Sequence, residues 1–113
     1  MSPELPRQTS HELFLRWDFL DLVIYDGKRI EVRRATPEVL AIQQNDSLWL
    51  RDRSRSVYTD VLGTSSYEDI RQLIDTEDSH LIYPGKNRAQ LHSLSARYFG
   101  KNRVVAIHFE PQL

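Results

Sequence analysis

The stretch LDLVIYDGKRIEVRR, residues 20–34, decides how the rest of the sequence is interpreted. Two strand-like runs in it flank Asp26-Gly27, a dipeptide that is the strongest short signal for a tight β-hairpin. In the second run Ile30 and Val32 alternate with charged residues, so one face is expected to be buried and the other wet. The stretch therefore predicts a β-hairpin, and the sheet is extended from it in both directions.

Strand-like segments continue after this hairpin. The runs SLWLR (47–51) and SVYTDVL (56–62) are expected to pair around the polar turn DRSRS. The segment before them has two interpretations. Thr36 as N-cap and Pro37 as the first helical residue are typical of a helix start, whereas the β-branched and aromatic residues favour a hairpin that turns at residues 44–46. We favour the hairpin, which gives a meander of about five short antiparallel strands between residues 20 and 61.

Helical patterns flank the predicted meander. A short helix is expected over residues 10–18, although LFLRW also fits a strand. Gly63 is expected to end the meander, and the capping-box spacing of Ser65 and Glu68 predicts a helix over 66–75.

The C-terminal third is expected to finish the domain. HLIY (80–83) is read as a strand and Pro84-Gly85 as a turn. A helix over 87–99 would bury Leu91, Leu94 and Tyr98 and end at Gly100. RVVAIHFEP (103–111) then returns as the last strand.

The predicted fold class is α+β, in one domain. Residues 1–9 are expected to be a flexible arm and residues 10–113 the folded unit. The expected architecture is an antiparallel meander of about five strands, two or three helices packed on one face, and a C-terminal edge strand.

Composition narrows the class of protein. The chain has 113 residues, 40% of them apolar, and no cysteine, so disulfides and thiolate chemistry are excluded. The sequence shows no apolar run long enough to span a bilayer and no signal peptide, so we predict a cytoplasmic protein that does not bind membranes. The net charge is −1, but residues 1–80 hold 10 basic and 15 acidic side chains, whereas residues 81–113 hold five basic and one acidic. This asymmetry can steer a charged partner.

The basic C-terminal third contains the pattern Tyr-x-Gly-Lys-Asn-Arg twice, at residues 83–88 and 98–103. Lys and Arg two residues apart can flank a phosphate or carboxylate, and a helix N-terminus favours anions. The predicted helix places the two copies about 20 Å apart, so they cannot close on one anion. A turn and a glycine cap explain the same letters. The predicted partner- or anion-binding residues are Lys86, Asn87, Arg88, Lys101 and Arg103.

A second basic group consists of arginines on the predicted sheet. Alternation along RDRSRS would put three arginines on one side, next to those of the first hairpin. With exposed aromatics such as Trp49 or Tyr58, such a face suits stacking on single-stranded bases. A solvated face that protects a sheet edge is the ordinary alternative. The possible nucleic-acid face comprises Arg29, Arg33, Arg34, Arg51, Arg53 and Arg55.

Catalytic and metal-binding motifs are not evident. The four histidines, at positions 11, 80, 92 and 108, have no metal-ligand spacing, and there is no phosphate loop, dinucleotide fingerprint or nucleophile elbow. We predict no cofactor, no metal and no catalytic residue.

Three functions remain open from the sequence. The favoured one is a small non-enzymatic module that binds another protein as a regulator, adaptor or immunity-type partner through the basic surface of residues 86–103. The alternative is binding of RNA or single-stranded DNA through the arginine face and the Gly-Lys-Asn-Arg loops. A small enzyme that uses histidines and carboxylates ranks last. The oligomeric state is left open.

Overall fold

A computed structural model describes residues 9–113 and shows a mixed α+β domain. The strands are β1 (Ser10–Phe14), β2 (Ile30–Arg34), β3 (Ser47–Arg51), β4 (Ser56–Tyr67) and β5 (Val104–Pro111). The helices are α1 (Trp17–Asp21), α2 (Pro37–Leu40), α3 (Ile70–Thr76), α4 (Ser79–Ile82) and α5 (Arg88–Phe99), and a π-helical turn (Leu22–Asp26) continues α1. Most of the predicted N-terminal arm lies outside the described residues.

The five strands form one sheet in the order β1-β3-β4-β5-β2. β1 pairs with β3 in parallel, and the other three pairs are antiparallel. The predicted pure antiparallel meander is therefore wrong, while the α+β class is confirmed. The last strand was expected at an edge, but β5 lies between β4 and β2. Its residues Val104 to Ile107 are all buried, as in a strand covered on both faces.

The predicted hairpin at residues 20–34 is wrong in its first half. Residues 20–26 are helical, and Gly27, at φ 88°, ends the helical segment instead of turning a hairpin. Leu20 and Val23 are completely buried and lie three residues apart, so a helix brings both into the same core. The second half is a strand as predicted, and it pairs with β5.

Two further assignments near the N-terminus change. The helix expected over residues 10–18 is replaced by β1, which pairs with β3, and by the start of α1. The hairpin expected after Thr36 is replaced by the helix α2, whose first turn is capped by the Thr36 hydroxyl accepting from Val39 N–H at 3.3 Å. The rejected alternative, with Pro37 at the first helical position, was the correct one.

Between residues 47 and 83 the pairing of β3 with β4 is confirmed, but several boundaries move. β4 passes through Gly63 with a register shift, so Gly63 does not end the sheet. α3 begins at Ile70 and is capped by Asp69, not by Ser65. The segment expected as the strand HLIY is the short helix α4.

Helix α5 and its ends are as predicted. It runs from Arg88 to Phe99, with Asn87 as N-cap and Gly100 as C-cap. Its predicted buried stripe is wrong in part: Leu91 is buried, whereas Leu94 and Tyr98 are exposed.

Helices cover both faces of the sheet, which corrects the expected packing on one face. Successive residues of β5 point to opposite faces and belong to two cores. The inner face carries the core around α1 and α2, and the outer face carries the core around α3, α4 and α5. The inner core comprises Leu15, Leu20, Val23, Val39, Ile42, Leu48, Leu50, Val57, Val61, Val105, Ile107 and Phe109. The outer core comprises Ile30, Ile70, Leu73, Ile74, Ile82, Leu91, Val104 and Ala106.

The sheet curls so that its two edge strands approach each other. Arg33 of β2 donates from Nη2 to the carbonyl oxygen of Phe14, the last residue of β1, at 2.6 Å. The line between Phe14 and Arg33 is called the seam below. None of the described helices has the length and apolar character needed to cross a membrane. The cytoplasmic location stays a prediction.

Candidate functional site

A buried lysine lies beside the seam. Lys28 follows the helix-ending Gly27 and is only 2% exposed. Its Nζ lies 2.6 Å from the carbonyl oxygen of Ile30, 2.7 Å from that of Ile82 and 3.3 Å from Glu31 Oε1. Three acceptors match the three N–H donors of an ammonium group. Burial lowers the pKa of Lys28, and the neighbouring Glu31 carboxylate opposes this shift by favouring the charged form.

Glu31 connects this lysine to the seam. It is 8% exposed, and its Oε2 accepts from Arg33 Nε at 2.8 Å and lies 2.8 Å from Arg33 Nη2. The same Nη2 reaches the Phe14 carbonyl. Lys28, Glu31 and Arg33 thus form a continuous chain of charge-assisted contacts from the interior to the seam. Such a chain holds the β2 edge in one geometry, because breaking it would leave a charge buried without its partner.

Aromatic rings and cations gather next to this chain. Phe19 of α1 and Tyr83, which follows α4, pack edge to face with centroids 5.6 Å apart. The Arg16 guanidinium lies 5.0 Å and Lys28 Nζ 5.9 Å from the Phe19 ring centroid. Lys86 Nζ lies 5.7 Å from the Tyr83 ring centroid. All of these separations are within the range of cation–π attraction.

A second aromatic–cation group lies at the end of β2. Arg34 sits 5.7 Å from the ring centroid of Tyr98 and donates to the Tyr98 carbonyl at 2.6 Å. Tyr98 is 69% exposed, so most of its ring is accessible. The carbonyl of Arg103 accepts from Ala35 N–H at 2.9 Å, which places this loop arginine beside the same strand.

Arg16 belongs to the first group, through its contact with Phe19. Its hydrogen bond to Asp18 raises the pKa of Arg16 most. All four cation–ring contacts among the described residues belong to these two groups, one beside Lys28, which precedes β2, and one at Arg34, which ends it. The seam surface is defined as Arg16, Phe19, Arg33, Arg34, Tyr83, Lys86, Tyr98 and Arg103.

The two Gly-Lys-Asn-Arg copies lie at opposite ends of α5, as expected. In the first copy Asn87 Oδ1 accepts from Gln90 N–H, and Gln90 Oε1 accepts from Asn87 N–H, both at 2.9 Å. This capping box uses N–H groups that an anion would need. In the second copy Gly100, at φ 56°, caps the helix, and Asn102 donates to the Phe99 carbonyl at 2.7 Å.

The basic side chains of the two copies are not neutralised by the described carboxylates. Arg88, Lys101 and Arg103 are exposed, and Lys86 is half-buried over Tyr83. None of the four forms a salt bridge with a carboxylate of residues 9–113. Their binding role stays a prediction, and only Lys86 and Arg103 lie at the seam surface.

The structure does not bring all six predicted arginines together in one group. Arg55 holds the turn after β3 against α1, because it donates to Asp21 Oδ1 at 2.6 Å and to Asp52 Oδ2. Arg29 donates to the carbonyls of Val23 and Lys28, at 3.1 and 2.7 Å.

The other four arginines are divided between three places. Arg33 and Arg34 belong to the seam surface, Arg51 pairs with Glu12, and Arg53 lies exposed in the turn. The prediction assumed that alternating arginines of one flat strand share a side. It does not hold because the sheet curls and the turn after β3 folds back on α1.

Three of the four histidines are paired with separate carboxylates. Nε2 atoms of His11, His92 and His108 lie 2.8, 2.8 and 3.0 Å from carboxylate oxygens of Asp46, Asp75 and Glu77. Residues 9–113 contain no cluster of three or more metal-ligating side chains.

Sequence reasoning missed Lys28 and Glu31. The hairpin interpretation placed both outside the core, since charged residues alternating with Ile30 and Val32 usually face water. The only signal in the sequence was the close spacing of Lys28 and Glu31 with Arg33. That spacing indicates a buried ion-paired group only once this face of β2 is known to be buried.

Comparisons with known proteins identify the fold. No family model and no curated protein matches the chain. The structure is similar to that of the hypothetical protein PH0355, with a TM-score of 0.79 and 21% identity over 92% of this chain and all of the other. It is also similar to protein PF0455 from Pyrococcus furiosus, with a TM-score of 0.68 and 24% identity over 91% and 97% of the two chains.

A third solved structure has the same fold at lower identity. It is the ZmASCH S128A mutant protein from Zymomonas mobilis, with a TM-score of 0.65 and 13% identity over 95% of this chain and 73% of the other. At these identities the likeness defines a shared small α+β fold, and the function rests on the site itself.

Proposed function

We propose that this protein binds single-stranded RNA or DNA along the seam surface. The observation that supports the proposal is the gathering of all four cation–ring contacts of the described residues beside β2. Proteins that bind single strands combine positive charge along the backbone with aromatic rings on which bases stack. The sequence-based alternative is thereby favoured over a protein partner, which stays an untested prediction.

The accessible groups divide by role. Tyr98 offers an exposed ring to a base, while Arg34 beneath it and Arg103 beside it face the strand's phosphates. Lys86 supplies a further positive charge at the Tyr83 ring. Arg16 and Arg33 are already engaged by carboxylates, at 2.6 and 2.8 Å, so they contribute shape more than net charge.

The buried part of the site supplies rigidity. Lys28 and Glu31 are almost completely buried, and they fix Arg33 and the strand on which Arg34 lies. A surface that needs no rearrangement loses less entropy on binding. Binding is therefore expected to be modest in affinity, sensitive to salt and tolerant of base sequence.

Fluorescence anisotropy with a labelled mixed-sequence 12-nucleotide RNA tests the proposal. With three phosphates neutralised, log Kd is expected to rise with log salt with a slope of about 2, since each contact with a single strand contributes about 0.7. Lys86→Gln is expected to reduce that slope by about 0.7. Tyr98→Ala is expected to weaken the free energy of RNA binding by about 1–3 kcal/mol, the usual contribution of one stacked base.

Arg53→Gln is the matched charge control, because Arg53 is exposed in the turn between β3 and β4 and lies outside the seam surface. It should leave both affinity and slope unchanged. Absence of salt-dependent binding at 50 mM salt, or equal losses for Lys86→Gln and Arg53→Gln, would contradict the proposal. A duplex of the same sequence should bind more weakly, since its bases are not free to stack on Tyr98.

A further inference from the structure

An exposed aromatic patch lies on the outer sheet face next to the seam. Phe14 of β1 is 57% exposed and Trp49 of β3 is 40% exposed. Phe14 is the register partner of Arg51, and Trp49 lies two residues before Arg51 on the same face. The Trp49 ring meets Tyr58 edge to face at 5.1 Å, so it is held in position. The stacking face is defined as Phe14, Trp49 and Arg51.

This stacking face is continuous with the seam surface. The carbonyl of Phe14 holds Arg33 across the seam, at 2.6 Å, so the two edges meet at this residue. Arg34, the next residue of β2, points to the outer face, where its side chain donates a hydrogen bond to the Tyr98 carbonyl. The contacts from Tyr98 towards Trp49 thus run through Arg34, its neighbour Arg33, and Phe14.

Arg51 has unused hydrogen-bonding capacity. Its Nη1 lies 3.1 Å from Glu12 Oε1, and these side chains are 42% and 59% exposed, so the pair is weak. Its Nε is buried and has no hydrogen-bond partner among residues 9–113. A buried donor without an acceptor is unusual in folded proteins. Because Nε is buried, a phosphate that approaches Arg51 can bind only at the exposed part of the guanidinium, where it competes with Glu12.

We propose that the stacking face is the second half of the binding track and takes bases of the same single strand. The inference rests on the proposed function and adds a footprint: a short oligonucleotide occupies the seam surface alone, and a longer one also stacks on Phe14 and Trp49. Arg51 contacts the phosphate between these two stacked bases. The ligand class is single-stranded nucleic acid long enough to pass the seam.

Tryptophan fluorescence tests this inference directly. The chain has two tryptophans, so Trp17→Phe leaves Trp49 as the only one. Saturation of this variant with an unlabelled 12-nucleotide RNA should quench the Trp49 emission, because a stacked base lies against its ring. Saturation with a 4-nucleotide RNA should leave the emission unchanged. Equal emission with and without the 12-nucleotide RNA, while anisotropy shows it bound, would overturn the inference and leave the proposed function intact.

Two variants test whether the contribution of the stacking face depends on the length of the RNA. Phe14→Ala should weaken binding of the 12-nucleotide RNA at least fivefold and leave the 4-nucleotide RNA unaffected. Glu12→Gln should tighten the longer RNA about two- to fivefold, since it frees Arg51 and removes a negative charge. If either variant changed binding of both RNA lengths equally, the inference would be contradicted. If the wild-type protein bound neither RNA, the proposed function itself would be rejected. Circular dichroism confirms that each variant is folded.

Discussion

Replacing Glu31 by glutamine removes the charge between Lys28 and Arg33 while preserving side-chain size. Lys28 is 2% exposed, and it would keep two carbonyl acceptors but lose its counter-ion. Removing one partner of a buried ion pair costs about 3–5 kcal/mol. The Arg33 side chain is 29% exposed and can be solvated in part, so a loss of about 3 kcal/mol is expected for Glu31→Gln.

Thermal and urea unfolding followed by circular dichroism measure this loss. For a domain of about 100 residues, about 3 kcal/mol lowers Tm by about 12 °C or more. Glu12→Gln is the matched control, because Glu12 makes an exposed pair with Arg51, and it should cost less than about 1 kcal/mol. Equal losses for the two variants would refute the reasoning that burial gives the Glu31 contact its value.

A double-mutant cycle separates pairing from general damage. Lys28→Met removes the buried ammonium and leaves an apolar chain of similar length. The double variant Lys28→Met/Glu31→Gln should lose less free energy of unfolding than the sum of the losses of the two single variants. The difference should be at least about 1 kcal/mol, since contacting residues couple by about 0.5–3 kcal/mol. Additive losses would show that Lys28 and Glu31 do not act as a pair.

Three further predictions concern stability away from the seam. The Tyr67 hydroxyl donates to Glu77 Oε1 at 2.6 Å, and burial, followed by this carboxylate, raises the pKa of Tyr67 to about 12. The stabilisation is complete below pH 10 and lost as pH rises towards 12, so alkaline urea titrations of Tyr67→Phe should show a smaller decline than the wild type. The pKa of Asp52 is lowered to about 2, first by the Ser54 N–H and also by Arg55, against the effect of burial. Stability from Asp52 is present above its ordinary pKa and lost as pH falls to about 2, so Asp52→Asn should flatten the acid limb of the stability profile, and an unchanged limb would contradict this. Asn87→Ala removes the helix cap and should cost about 1 kcal/mol in urea unfolding, and a loss below about 0.3 kcal/mol would show that the capping box is dispensable.

The sequence correctly predicted the elements whose defining contacts all lie between residues close together in the chain. The cap at Asn87 and the glycine at position 100 enclose α5, and both lie within four residues of the bonds they make. The pairing of β3 with β4 was predictable for the same reason, because a short polar turn joins them. These contacts depend on neighbours in the sequence, so they can be read without the fold.

Signals that depend on distant partners were misread. The apolar run at residues 20–26 fits a strand or a buried helix. It is helical because the helix brings Leu20 and Val23 into the same core. The candidate site was only partly visible. Arg33, Arg34, Lys86 and Arg103 were singled out from the sequence, but their meeting beside β2 was not predicted. Lys28 and Glu31 were missed because their burial comes from residues far along the chain, such as Ile82.

By itself the sequence determined the α+β class, the ends of α5, the β3–β4 pair and the basic character of the C-terminal third. Only the tertiary structure decided the strand order, the curl that brings Phe14 to Arg33, and the burial of Lys28. The physical reason is the range of the interactions. Caps and turns are satisfied by backbone groups a few residues away, whereas strand order and the burial of charge are settled by which distant surfaces together exclude water.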